Sequence, residues 1–293
     1  MTGRPSAFRA VPWGLLAPGF VLFAVGFMWP MARLARMSLG HTDDIGVLSP
    51  GPTLASYRDI VTDPYNLLLI GHSFLFSAVV AALSSLLSYP ASLMLHRLPE
   101  RRRARWLLLT ISPLFVSSIV RTYGWTILLG RQGLVNDLLL ALGWIATPLR
   151  LSNNWLGCVI GMVQILLPFV VLSQISGFGR LTRDYEESAL TLGAGHWARL
   201  RHIAIPLTLP GIGMGFAIGF VLAISSFVTP QLLGGGRVDL LATEIYNEAV
   251  VQLDWPLASA LAILLLAGFC ALIPLWRRSD ARRRTTARQG SQS

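Results

Sequence analysis

Lysine is absent from these 293 residues: all 24 basic residues are arginine. A phosphate-binding loop of the G-x-x-x-x-G-K-[ST] kind needs its lysine to reach the β and γ phosphates, so the chain holds no such nucleotide site. Charge of either sign is scarce, at 13% of residues. The two cysteines, Cys158 and Cys270, fall inside apolar runs, where isolated thiols serve as small packing residues rather than a redox pair. The five histidines (His41, His72, His96, His196 and His202) form neither an HExxH pattern nor a cluster, and His196 and His202, six apart, do not share a helical face. Metal chemistry and a hydrolase embedded in the bilayer therefore find no ligand set or nucleophile with a base. No stretch reads as a strand.

Hydrophobic residues make up 53% of the chain. A membrane span takes about 20 mostly apolar residues to cross about 30 Å of hydrocarbon. Six runs qualify: 11–31, 67–95, 106–129, 155–178, 211–228 and 257–276. Proline occurs within several of them (Pro18, Pro90, Pro113, Pro168 and Pro274), which a helix bundle tolerates where neighbours satisfy the freed carbonyls. The sequence thus predicts an all-α membrane protein with six transmembrane helices. Arg4 and Arg9 precede the first run as in a signal peptide, but no small-residue cleavage site comes before Arg33, so this run is expected to remain as a span.

Arginine bias in the connecting segments predicts orientation. The tail 1–10 carries Arg4 and Arg9, and "HRLPERRRAR" carries Arg97, Arg101, Arg102, Arg103 and Arg105. The 179–210 loop carries Arg180, Arg183, Arg199 and Arg201, and the tail 277–293 carries Arg277, Arg278, Arg282, Arg283, Arg284 and Arg288. Both termini and the 179–210 loop are therefore expected on the cytoplasmic side, with 11–276 forming one six-span domain. The basic tail is expected to be disordered, fixing topology against anionic lipid or meeting a partner. Nucleic acid is not the expected partner, because the arginines sit at the ends of apolar runs.

The 179–210 loop contains "DYEESALTLGAGHWARLRHIAIPLTLPG", beginning at Asp184. Asp184 and Glu187 have capping-box spacing, predicting a helix from about Tyr185 to Leu192 that Gly193 and Gly195 terminate. A second helix is expected from His196 to Ala204, with Trp197, Leu200 and Ala204 on one face and Pro206 and Pro210 stopping it before the fifth span. Two such helices fit a partner's groove, and they equally fit a connector lying on the bilayer surface.

The loop resembles the EAA loop of permease subunits of bacterial ABC importers. Glu187 stands at the glutamate of that pattern, Ser188 and Ala189 at the alanines, and Gly193 and Ala194 at the Gly-Ala; Ile203, Pro206 and Pro210 match further along. Ser188, Leu200 (where an aromatic is common) and Ile205 depart from it, and Trp197 is positioned to share the role of the smaller Leu200. The resemblance implies that Glu187, Ala189, Gly193, Ala194, Trp197, Leu200, Ile203 and Pro206 couple the spans to a cytoplasmic ATPase. "SFLFSAVVAALSSLLSYPASLMLHRLP", "VRTYGWTILLGRQGLVN", "SSFVTPQLLGGGR" and "DWPLASAL" extend the likeness to spermidine/putrescine importer permeases.

That family implies a MetI-like type I importer permease fold in the bacterial inner membrane. It further implies a second permease subunit, two copies of a separate ATPase and a periplasmic solute-binding protein, and no cofactor on this chain. An ion-driven secondary transporter would instead show paired intramembrane charges and broken repeats, which the chain lacks apart from Arg121 near the third span.

Acidic residues concentrate in the opposite loops: Asp43, Asp44, Asp59, Asp63, Asp137, Asp239, Glu244, Glu248 and Asp254. Within "VDLLATEIYNEAVVQLDWP", Glu244 and Glu248 are four apart, with Tyr246 near them and Asp254 and Trp255 before the sixth run. Carboxylates and aromatic faces suit an amine cation, making these five the candidates for a substrate path, with local stabilisation of the loop as the alternative. Arg121, Tyr123 and Trp125 fit either an anionic pathway or an interfacial belt.

Overall fold

The computed structural model describes residues 13–40 and 51–271, and among them every regular element is helical. The terminal tails, Asp43 and Asp44, and the outer ends of the first and sixth expected spans lie outside the described residues. The chain divides into two compact units, one formed by Met1–Thr62 with Glu248–Ser293 and the other by Asp63–Asn247.

In the first unit, α1 (Trp13–Phe23), a π-helical turn (Ala24–Met28) and α2 (Trp29–Met37) run on continuously. Every side chain from Pro18 to Pro30 is exposed. An apolar helix with no buried face fits hydrocarbon or a partner rather than water. α3 (Ala55–Thr62) is held locally: Ser56 Oγ donates to the carbonyl of Gly40 at 3.2 Å, and Tyr57 Oη donates to Ser38 Oγ at 2.8 Å.

The second unit is built on three helices: α4 (Pro64–Arg97), α8 (Trp155–Ser176) and α11 (Ile205–Ile224), which pack on one another. Between α4 and α8 lie α5 (Glu100–Ile111), α6 (Ser118–Leu128) and α7 (Leu134–Ala141). Between α8 and α11 lie α9 (Arg183–Thr191) and α10 (His196–Arg199); α12 (Val228–Leu233) and α13 (Leu241–Tyr246) follow. In the first unit, α14 (Trp255–Ala271) reaches the last described residue.

Two of the core helices have built N-termini. Asp63 Oδ1 accepts from the Tyr65 amide at 2.9 Å before α4, and Asn154 Oδ1 accepts from the Gly157 amide at 2.8 Å before α8. Their shared interior mixes Phe76, Val80, Met162, Leu166 and Val170 with an unusual number of small polar residues. Ser73, Ser77, Ser84, Ser85, Ser88 and Ser92 of α4 and Gln174 of α8 are all buried. Small residues let helices approach closely where lipid supplies no hydrophobic drive for association. Gly177 and Gly211 show how closely: a Cβ on Gly177 would sit 2.3 Å from Gly211 Cα.

Pro18–Met37, Pro64–Arg97, Trp155–Ser176 and His196–Ile224 are long and apolar enough to cross a membrane. The expected third span, 106–129, is not one straight helix: Glu100–Phe115 and Ser118–Leu128 meet at 87°. Pro113 lies just before the break and has no N–H for the Leu109 carbonyl. Ser112 Oγ takes that carbonyl instead, donating at 2.8 Å, and after a short 3-10 turn the backbone becomes extended at Val116. The fifth expected run begins earlier than its apolar stretch, within a 29-residue helix from His196 to Ile224.

Candidate functional site: the 177–210 segment

After α8 the chain turns at Gly177 and buries Phe178 completely. Its ring meets Tyr89 at 6.0 Å and His96 at 5.9 Å, both edge-on. Leu93, Leu181 and Ala204 are buried with it, and Leu200, Ile203 and Leu207 pack against them. Because a carbonyl can only accept, His96 Nε2 carries the proton it shares with the Leu181 oxygen at 2.8 Å.

The capping box expected of Asp184 and Glu187 is not formed. The helix starts at Arg183 with Thr182 at its N-cap, and no side chain caps it. Asp184 and Glu186 lie in the first turn, where negative charge favours the helix N-terminus without a specific bond. Glu186 is drawn inward by an ion pair with Arg97, the last residue of α4. Glu187 and Ser188 are exposed, whereas Ala189 is buried.

The end of α9 explains the Gly-Ala pair. Gly193 has φ +78°. Its amide donates to the Leu190 carbonyl at 3.0 Å, and the Ala194 amide donates to the Ala189 carbonyl at 2.9 Å. This is a Schellman arrangement, which needs the left-handed conformation that glycine adopts without a Cβ penalty.

The second helix also differs from expectation. Pro206 and Pro210 do not stop it, because a π-helical turn at Leu200–Ala204 carries α10 into α11; the Ile205 amide bonds back to the Leu200 carbonyl. Proline is harmless at the start of a new α-helical register, which is where Pro206 stands. Trp197, Leu200 and Ala204 do not share a face: Trp197 is 71% exposed, Ala204 is buried and Leu200 packs inward. Ile203 is half-buried and Pro206 exposed. The outer surface instead presents Tyr185, Leu190, Leu192 and Trp197.

The chain between 88 and 284 matches the family described as the binding-protein-dependent transport system inner membrane component. The chain belongs to this family. The spermidine/putrescine transport system permease protein PotB of Salmonella typhimurium is 36% identical to the permease over 253 residues, covering 85% of this chain and 87% of that protein. A bacterial ABC transporter involved in import of the acidic polysaccharide alginate shares the fold, with a TM-score of 0.74 at 17% identity over 92% of this chain and 94% of that one. A second alginate transporter structure, in complex with a pentasaccharide-bound periplasmic protein, has a TM-score of 0.68 at 15% identity over 92% and 93% of the two chains. The permease is therefore a multi-pass inner-membrane transport component with an ABC importer permease fold.

The other candidate residues are divided between the two units. Glu244 and Tyr246 lie on α13, where Tyr246 stacks on Phe227 with ring centroids 5.1 Å apart. Burial first, and then the charge of Asp239, pushes the Glu244 carboxyl above its ordinary value. The helical face expected to carry both Glu244 and Glu248 does not continue, because α13 ends at Tyr246 and Asn247–Gln252 form a π-helical turn. Glu248, Asp254 and Trp255 belong to the other unit. There the Asp254 amide donates to the Glu248 carbonyl at 2.9 Å, and Asp254 Oδ1 accepts from the Leu257 amide at 3.1 Å, which starts α14. Leu253 takes a positive φ of 62° to make this turn. Among the described residues no group of three His, Cys, Asp or Glu is placed to hold a metal.

Sequence reasoning missed the pair Arg97–Glu186 and the contact of His96 with Leu181. They join positions 89 and 85 residues apart. Only the basic end of α4 and the doubled glutamate at 186 and 187 hint at them.

Proposed function

We propose that this permease forms half of the translocation pore of an ATP-driven importer for polyamines such as spermidine and putrescine. The identity of more than a third with a spermidine/putrescine permease, spread over most of both chains, carries this reading. Fold alone does not select the solute, since the alginate importers with the same fold handle a substrate of opposite charge.

In this reading six helices cross the inner membrane with both termini and the 177–210 segment in the cytoplasm, as the arginine distribution favours. A separate ATPase, in two copies, docks on α9 and α10, where Glu187, Leu192 and Trp197 are exposed. A second permease completes the pore, and a periplasmic binding protein delivers the solute. Closure of the ATPases biases the pore between inward-open and outward-open states, and this chain executes the change without making or breaking a bond.

The test is uptake into proteoliposomes containing the permease, its sibling permease and the ATPase, with binding protein loaded with spermidine or putrescine. ATP-dependent uptake is expected, with a fall of about tenfold or more in Glu187→Ala while the permeases still assemble. Uptake driven by an ion gradient and indifferent to ATP would overturn the class; ATP hydrolysis without polyamine movement would overturn the solute.

A further inference from the structure

We infer that Arg97 and Glu186 form a strut that carries the motion of the α9 helix into α4, making both positioning residues for transport. This rests on the reading that the 177–210 segment docks an ATPase. Arg97 ends the 34-residue α4, and its guanidinium pairs with Glu186 of α9; the two side chains are 35% and 16% exposed.

Besides the packing of Leu200 and Ile203 on the cluster that holds Leu93 of α4, two bonded routes lead from this segment into the core helices. The first is covalent, because α10 passes through its π-helical turn into α11 without interruption. The second must cross from α9 to α4, and α9 offers little to cross with: between Asp184 and Thr191 only Glu186 and Ala189 are not exposed. Ala189 has a single methyl, so the directional contact is the charge-assisted bond from Arg97. His96, the preceding residue, holds the segment entering α9 through the Leu181 carbonyl at 2.8 Å. Arg97 and His96 thus fix one helix end to the coupling segment from two directions.

The doubled glutamate then has a division of labour. Glu187 is exposed and free to meet a partner, whereas Glu186 faces inward and meets α4. A docked ATPase that moves α9 shifts α4 through the strut and α11 through the backbone, so the two core helices move together. Without the strut, α9 loses its direct charge-assisted link to α4, which is then driven only through its packing on α11 and the contacts around Phe178.

The experiment uses the complete importer in proteoliposomes and reads polyamine taken up per ATP hydrolysed, beside co-purification of the ATPase. Arg97→Glu and Glu186→Arg are each expected to keep the ATPase bound and to lower uptake per ATP by about tenfold, with the double swap recovering most of it. Glu186→Gln, nearly isosteric, is expected to lower it severalfold and serves if the swaps fail to accumulate. A ratio in Glu186→Gln and in the accumulated swaps equal to that of the parent, or a double swap no better than its singles, overturns the strut. If Glu187→Ala uncouples transport while the Arg97 and Glu186 variants do not, the strut alone falls. If Glu187→Ala and Trp197→Ala both leave ATPase binding and uptake unchanged, the docking reading falls and takes the strut with it.

Discussion

The three-helix core and the 177–210 segment invert each other. The core, made of the most apolar helices, buries serines and a glutamine; the segment, rich in charge, exposes Leu192 at 86% and Trp197 at 71%. The inversion follows from the surroundings. Lipid is as apolar as leucine, so close backbone packing and hydrogen bonds hold helices together there, and Gln174 Nε2 donates to the Ser85 carbonyl at 2.8 Å. In water a cluster of exposed apolar side chains is costly and marks a surface meant to be covered. One region thus packs its polar groups inside, and the other, on the reading proposed above, leaves its apolar groups for a partner to cover.

The sharpest way to break this contrast is to enlarge a core glycine. A Cβ on Gly211 would lie 2.5 Å from the Gln174 carbonyl oxygen and 2.6 Å from Phe178 Cδ1. Gly211→Val is expected to destabilise the permease by about 3 kcal/mol, visible as a lowered melting temperature in detergent. Trp197→Ala, in the other region, is expected to leave the melting temperature nearly unchanged and to weaken ATPase binding by about 2 kcal/mol, measured by titrating the ATPase onto the purified permeases. A stability loss in Trp197→Ala without a binding loss would show the segment to be finished by itself after all.

The smallest effect concerns Glu244, which lies in neither region. Its carboxyl is raised above 4.5 by burial and then by Asp239. Folding therefore favours the protonated form. That contribution is full below the unfolded value and is lost as pH rises through the raised one. Glu244→Gln is expected to melt above the parent at neutral pH, with the gap closing on acidification; a constant gap would mean that Glu244 does not titrate differently on folding.

Much of the core was legible because membrane helices announce themselves by length. The run 155–178 became Trp155–Ser176, and 67–95 became Pro64–Arg97. The 87° break near Pro113 was not legible, since Pro90 and Pro168 have the same chemistry and leave their helices whole. A proline alone therefore does not mark where a membrane helix breaks. In the segment, the Gly193 turn was readable because only one backbone geometry suits it. The place of Ala204 was not: a π-helical turn changes the residue count per turn, so a face drawn at 3.6 residues goes astray across it.

That turn at Leu200–Ala204 has an evolutionary consequence. It sits between the exposed α10 and the core helix α11, and it already tolerates a backbone of different pitch. Adding or removing one residue there would swing Trp197 about 100° around the helix axis while every position after Pro206 kept its neighbours. If the proposed docking holds, a lineage could re-aim that surface at a diverging ATPase by a single-codon change in length, leaving the packing of the core helices unread by that selection.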